Sequence, residues 1–192
     1  MKGLKDVLYN KYMDPISKEI FAKAVAGDLE AFEAIYRETS GFVYNVAYRI
    51  VQNTQDAEEI TQEVFVSVYR KLREFRWESS FRTWIYRITT NCALNRIKQM
   101  RKEKDREQGY YLEAEINRSD SPDGSRKETV DQLLKAINPD QRACVVLRNV
   151  EGLSYREIAD SLKININTVR TRLKRAREKM LLLRKEVIKN EL

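Results

Sequence analysis

The chain has 192 residues, 34% of them charged and 42% hydrophobic, with only 6 Gly and 3 Pro. That length holds one or two compact domains, and the scarcity of turn residues favours helices over a β fold. There is no histidine, Cys92 and Cys144 lie far apart, and no apolar run nears the roughly 18 residues of a membrane span, so imidazole chemistry, a zinc site and membrane insertion are all disfavoured.

Met1 to Pro15 is mixed and polar, without the apolar centre of a signal peptide, and is read as an N-terminal extension of a cytoplasmic protein. Ile20, Ala24 and Val25 predict a short first helix ended by Gly27. Phe32, Ile35 and Tyr36 predict a second, and Val43, Val46, Ala47 and Ile50 a third after Gly41. Asn53-Thr54 reads as a turn and N-cap. Asp56, Glu58 and Glu59 then fill a first helical turn, where acidic groups suit the helix dipole. Ile60, Val64, Val68 and Leu72 supply that helix with a buried stripe. Ser79-Ser80 offers another cap, and Phe81, Ile85, Ile88 and Cys92 share the core face of the helix that follows.

Composition changes after about Lys104. Residues 107–125 carry five acidic side chains against Arg118 and include the run Ser119-Asp120-Ser121-Pro122-Asp123-Gly124-Ser125, which reads as a flexible interdomain linker. Val130, Leu133, Leu134 and Ile137 mark the next helix. Asn138-Pro139 opens another, in which Ala143, Val146, Leu147 and Val150 are the core residues and which Gly152 stops.

Leu153 to Ala176 carries the sharpest local signal. Ser154 and Glu157 form a capping box ahead of Ile158, Ala159 and Leu162, in a helix ending near Lys163. Asn167 is placed to cap a second helix from Thr168. Small Ala159 and β-branched Val169 stand where two helices of a helix-turn-helix cross. On the second helix Val169, Leu173, Ala176 and Met180 share one face, Thr171, Lys174 and Glu178 lie opposite, and Arg170 and Arg175 flank them. Long donors on an exposed helix reach base edges and phosphates in a major groove.

Charge follows these motifs. Residues 70–106 hold 12 Lys/Arg against 4 Asp/Glu, and residues 161–192 hold 10 against 3, whereas the stretches 1–69 and 107–160 are each net acidic. One basic block reads as a solvated face; two that coincide with motifs point to two contacts with a polyanion.

The stretch Asn138-Pro-Asp-Gln-Arg-Ala-Cys-Val-Val-Leu-Arg-Asn-Val-Glu-Gly-Leu-Ser-Tyr-Arg-Glu-Ile-Ala resembles region 4 of bacterial sigma factors, as does Asn167-Thr-Val-Arg-Thr-Arg-Leu-Lys-Arg-Ala-Arg-Glu. Asp56-Ala-Glu-Glu-Ile-Thr-Gln-Glu-Val-Phe and Phe81-Arg-Thr-Trp-Ile-Tyr-Arg-Ile-Thr-Thr-Asn resemble region 2. Lys163, Asn165 and Asn167 depart from the Gly and Pro that the family often places in the turn. The chain is short for a primary sigma factor, which points to the extracytoplasmic-function class. The resemblance implies an all-α protein of two small helical domains, a sigma region 2-like domain at 16–104 and a helix-turn-helix, region 4-like domain at 127–192, joined by a linker at 105–126.

The resemblance also implies roles. Asp56, Glu59, Gln62 and Glu63 are expected to dock on the clamp helices of core RNA polymerase, with the flap as a second polymerase contact. Phe75, Arg76, Ser79, Ser80 and Asn91 are expected to hold the melted −10 strand, since aromatic and guanidinium planes stack on unpaired bases and small polar groups bond their edges. Simple packing is the alternative for Phe75 and Trp77, and Trp84 reads as core or a strand-separating wedge. Asn167, Arg170, Thr171, Lys174 and Arg175 are expected to read duplex −35 DNA. An anti-sigma factor is an expected partner. No catalytic constellation, metal-ligand pattern or cofactor motif stands out. Two rival readings are a helix-turn-helix regulator acting without polymerase and a sigma-like decoy for an anti-sigma factor.

Overall fold

The computed structural model describes the backbone of residues 16–108 and 125–190 and the side chains of 16–103 and 130–184. The expectations placed on 1–15 and on most of the linker therefore lie outside the described residues. The described residues form helices and turns, with no strand among them.

In the first domain α1 (Lys18–Val25) leads into α2 (Leu29–Val51), α3 (Thr54–Lys71), a 3-10 turn (Leu72–Glu74) and α4 (Phe81–Gln108). Each start has a local cause. Ser17, Asp28 and Asn53 accept backbone N–H groups of the first turns of α1, α2 and α3. The Ser80 hydroxyl accepts the Thr83 N–H at 3.0 Å at the start of α4.

The two helices expected on either side of Gly41 are one. Ala31, Ile35, Thr39, Val43, Val46, Ala47 and Ile50 continue a single buried stripe through the glycine. Gly41 itself is exposed. A mid-helix glycine costs roughly 1 kcal/mol, which burial of that stripe outweighs. The expected stripe of α3 is in place: Ile60, Val64, Val68 and Leu72 are buried against α2 and α4.

The second domain runs α5 (Ser125–Ala136), α6 (Pro139–Val145), a π turn (Val146–Val150), α7 (Tyr155–Leu162) and α8 (Ile166–Asn190). Asn138 and Gln141 form a capping box with Pro139 just inside α6. The helix expected up to Val150 widens after Val145: the Glu151 N–H reaches back to the Val146 carbonyl at 3.2 Å. That widened turn leaves Val150 42% exposed, whereas Ala143, Val146 and Leu147 are buried.

The two domains pack together. α7 lies on α4, and α6 lies on α2 and α4. Arg142, 7% exposed, crosses the boundary: its guanidinium donates to the Leu134 and Ile137 carbonyls at 2.8 and 3.1 Å and to the Ile50 carbonyl at the end of α2 at 2.7 Å. Tyr48 donates to Asp131 at 3.3 Å. The Tyr86 hydroxyl donates to Glu151, which also meets Arg82 at 3.5 Å.

Candidate nucleic-acid interface

α8 is the clearest surface. Val169, Leu173 and Ala176 are buried against α6 and α7, and Met180 is half-buried behind them. This orientation turns Asn167, Arg170, Thr171, Lys174 and Arg175 outward, and all five are exposed. The Asn167 side-chain oxygen accepts from the Arg170 Nη1 at 2.8 Å, and its carbonyl accepts from the Thr171 hydroxyl at 2.9 Å. Asn167 therefore aims Arg170 and does not cap the helix. The cap is Asn165, whose side chain accepts the Asn167 N–H at 2.8 Å, so the helix begins two residues earlier than its pattern predicts. The capping box of α7 is present, with Glu157 bonding the Ser154 N–H at 2.8 Å and Ser154 bonding the Glu157 N–H at 3.2 Å. Lys163 stands in the turn with φ 52 and ψ 45, the left-handed conformation that glycine takes without penalty.

The second surface is a cleft of about 520 Å³ beside the 74–80 loop. Phe75, Arg76, Ser79 and Ser80 line it, together with Thr83, Trp84 and Arg87 of α4. The Ser80 and Thr83 hydroxyls lie 2.8 Å apart. The Arg87 Nε is buried with no hydrogen-bond partner. Thr83 and Arg87 fall outside the residues that the loop's composition singles out; their one-turn spacing on α4 was the available signal.

Phe75 borders the cleft but is largely buried. It is 9% exposed and sits in an aromatic cluster with Phe21, Trp77, Phe81 and Trp84, with ring centroids 5.0–5.5 Å apart. Packing, the alternative considered for this residue, describes its place; burial of so large a ring outweighs keeping it exposed. Trp77 is the exposed ring of the cluster, at 41%, and its φ of 57 places a bulky residue in the left-handed region. Trp84 is half-buried on Phe81 at 5.6 Å and borders the cleft. Asn91 lies further along α4, and the residues that line the cleft do not include it.

The acidic face of α3 is smaller than expected. Gln62 and Glu63 are exposed and Glu59 is half-exposed. Asp56 is 5% exposed and its carboxylate accepts from the Arg96 Nε at 2.8 Å, so it ties α3 to α4 and presents no docking surface. That bond, ahead of other influences, raises the Arg96 guanidinium above its ordinary value. Arg96 also meets Glu59 at 2.9 Å. A carboxylate three positions after an N-cap looks exposed on a helical wheel; only the tertiary position of Arg96 reveals otherwise. Further along the same helix Val66 and Tyr69 are 50% and 49% exposed, with Tyr69 resting on Phe32.

A helix-turn-helix with an exposed basic face, preceded by a helical domain with an arginine-bearing cleft, defines a class of proteins that contact nucleic acid at two places. Comparison with known proteins narrows the class. The Sigma-70 region 2 family matches residues 35–103, and the Sigma-70 region 4 family matches 127–180. The RNA polymerase sigma-H factor of Pseudomonas aeruginosa is 31% identical over 173 residues, covering 84% of this chain and 90% of that one. The ECF RNA polymerase sigma factor SigW of Bacillus subtilis is 30% identical over 184 residues, covering 86% and 95%. Among solved structures, RpoE of Bartonella quintana in complex with the anti-sigma factor NepR has a TM-score of 0.65 at 21% identity, over 80% of this chain and 96% of that one. CnrH, in complex with the cytosolic domain of CnrY, has a TM-score of 0.63 at 23% identity, over 87% and 96%. These two likenesses bear on fold. The chain belongs to the extracytoplasmic-function (ECF) RNA polymerase sigma factors, alternative sigma factors that direct promoter-specific transcription.

Proposed function

We propose that the chain divides this task between its domains. The exposed side chains of α8, Arg170, Thr171, Lys174 and Arg175, read duplex −35 DNA from the major groove, with Asn167 aiming Arg170. The 74–80 loop and the first turns of α4 take the melted −10 strand: Arg76, Ser79 and Ser80, joined by Thr83, Trp84 and Arg87. Glu59, Gln62 and Glu63 dock on the clamp helices of core polymerase, and the second domain meets the flap. An anti-sigma factor is the regulatory partner, as it is for the RpoE chain compared above. The protein then works in the cytoplasm, without a catalytic centre or cofactor of its own, the chemistry being the polymerase's.

The observation that carries this reading is α8 itself, whose buried stripe of Val169, Leu173 and Ala176 turns its basic side chains to solvent. Run-off transcription with purified core polymerase on templates selected from a random promoter pool tests it. Initiation that depends on the chain and is lost in Arg170→Ala supports the reading. DNA binding without any effect on polymerase would favour a regulator acting alone.

A further inference from the structure

The 74–80 loop turns one side chain away from the cleft it borders. Glu74, Phe75, Arg76, Glu78, Ser79 and Ser80 all line the cleft, and Trp77, at the centre of the run, does not. The reason lies in the backbone. Trp77 has a φ of 57, a left-handed conformation that glycine takes freely and a large side chain takes at a cost. This conformation carries the indole out of the cleft and onto α1, where it meets Phe21.

The contacts that hold the indole there are specific. The buried Phe21 ring meets it edge-on, with centroids 4.9 Å apart. Phe75 adds a tilted contact at 5.0 Å. The ammonium of Lys18, the first residue of α1, stands 5.8 Å from the indole centroid. Aromatic edge contacts and a cation over an indole are each attractive, and together they offset the strain of one left-handed residue. A second tie secures the entrance of the loop. Arg73 donates from Nε to the Val25 carbonyl at 3.2 Å, at the last residue of α1, where a helix end favours a cation. α1 therefore grips the loop at its centre and at its entrance, although none of its own residues lines the cleft.

We infer that Trp77 is a positioning residue for strand capture: its indole, hooked on Phe21 and Lys18 of α1, fixes the 74–80 loop in the shape that presents Arg76, Ser79 and Ser80 to an unpaired base, without touching the strand itself. The inference rests on the assignment of the cleft to the −10 strand. It gives α1 a task in promoter opening that its absence from the cleft wall conceals. Without the hook the loop keeps its sequence but loses its shape. An alanine in the left-handed region is populated about tenfold less than in its right-handed alternatives, and apparent strand affinity falls with the populated fraction. Glycine at the same position carries no such cost.

The test uses holoenzyme assembled from core polymerase and the full chain. Fluorescence anisotropy measures its affinity for a labelled single-stranded DNA that copies the non-template −10 segment of a promoter selected from the random pool, with a scrambled copy alongside. Trp77→Ala is expected to lose about tenfold in affinity for the −10 strand. Trp77→Gly should lose distinctly less, and Trp77→Phe, which keeps a ring against Phe21, should restore most of the binding. Affinity for core polymerase and for duplex −35 DNA should stay at the wild-type value in all three. A merely structural role would lower all three affinities together and would rank glycine no better than alanine. Lys18 is exposed, so Lys18→Gln tests the same hook should the indole variants fold poorly, with an expected loss of about two- to fivefold. Unchanged strand affinity in Trp77→Ala or in Lys18→Gln, or a glycine variant no better than alanine, would overturn the hook. Failure of the underlying reading looks different: wild-type holoenzyme that does not prefer the −10 strand over its scramble removes the assignment of the cleft, whereas a wild-type preference that survives Trp77→Ala removes the hook alone.

Discussion

A guanidinium taken out of water needs a source of negative potential. Among the described residues Arg142 finds it in carbonyls at the ends of helices, not in a carboxylate. Leu134 and Ile137 close α5, Ile50 closes α2, and each such end carries the negative pole of a helix dipole. Burial, with Arg101 nearby, still lowers Arg142 to about 10. Removing the side chain leaves those carbonyls without donors, so Arg142→Met is expected to lower stability by about 2–3 kcal/mol in thermal unfolding. Arg142→Lys should not restore it, because an ammonium cannot fork across carbonyls that face it from different elements. Cys144 offers a pH test. Burial pushes its thiol up to about 11 from an ordinary 9.0. The unfolded chain therefore gives up this proton first, and the contribution is full below about 9 and lost as pH rises towards 11. Cys144→Ala should flatten the fall in stability across that window, and the native thiol should resist a disulfide reagent at neutral pH until the protein is unfolded.

At the scale of elements, helix starts were legible where a side chain and its target N–H lie within three residues. Asn53, Ser80, Asn138 and Ser154 each cap the helix they precede. The start of α8 was misplaced because Asn165 and Asn167 are both competent caps, and sequence spacing alone does not rank them. The structure makes the difference measurable. Asn165→Ala should cost about 1 kcal/mol in thermal unfolding. Asn167→Ala should cost less in stability, yet weaken −35 binding by freeing Arg170. Arg170→Ala or Arg175→Ala should lower promoter affinity by about 1–3 kcal/mol where the side chain reads a base, and by a sequence-independent amount with a shallower salt dependence where it meets only phosphate. Quantitative gel shifts over a salt series separate the cases. Buried stripes were equally legible, because the 3.6-residue period is a local property. The widening after Val145 was not: it depends on where α7 must lie, and Arg148 fastens it by donating to the Leu153 carbonyl at 2.9 Å. The burial of Phe75 and Asp56 was not legible for the same reason. Their burial is decided by Phe21 and Arg96, which are far away in sequence.

Across the whole molecule, two helical domains with separate basic blocks could be read from composition and motif, but their docking could not. It depends on single side chains, Arg142, Tyr86 and Glu151, that sequence periodicity treats as ordinary helix residues. On the proposed function, the second domain leaves its place on α2 and α4 to spread along a promoter. Residues 109–124 set its reach. Fully extended, that stretch spans about 55 Å, against a radius of gyration of about 10 Å for a domain of this size, so the tether permits complete undocking. It also keeps the domains at high effective concentration, so that once polymerase holds them apart, binding at one promoter element favours binding at the other without any new contact. Supplying residues 1–108 and 125–192 as separate chains removes that gain. It leaves the side chains of both DNA surfaces in place. Run-off transcription with the two halves at ordinary concentrations is therefore expected to fall well below that of the intact chain, and to recover only as the concentration of the second half is raised. Full activity at low concentration would mean that polymerase positions each domain independently, and that the linker contributes nothing to promoter choice.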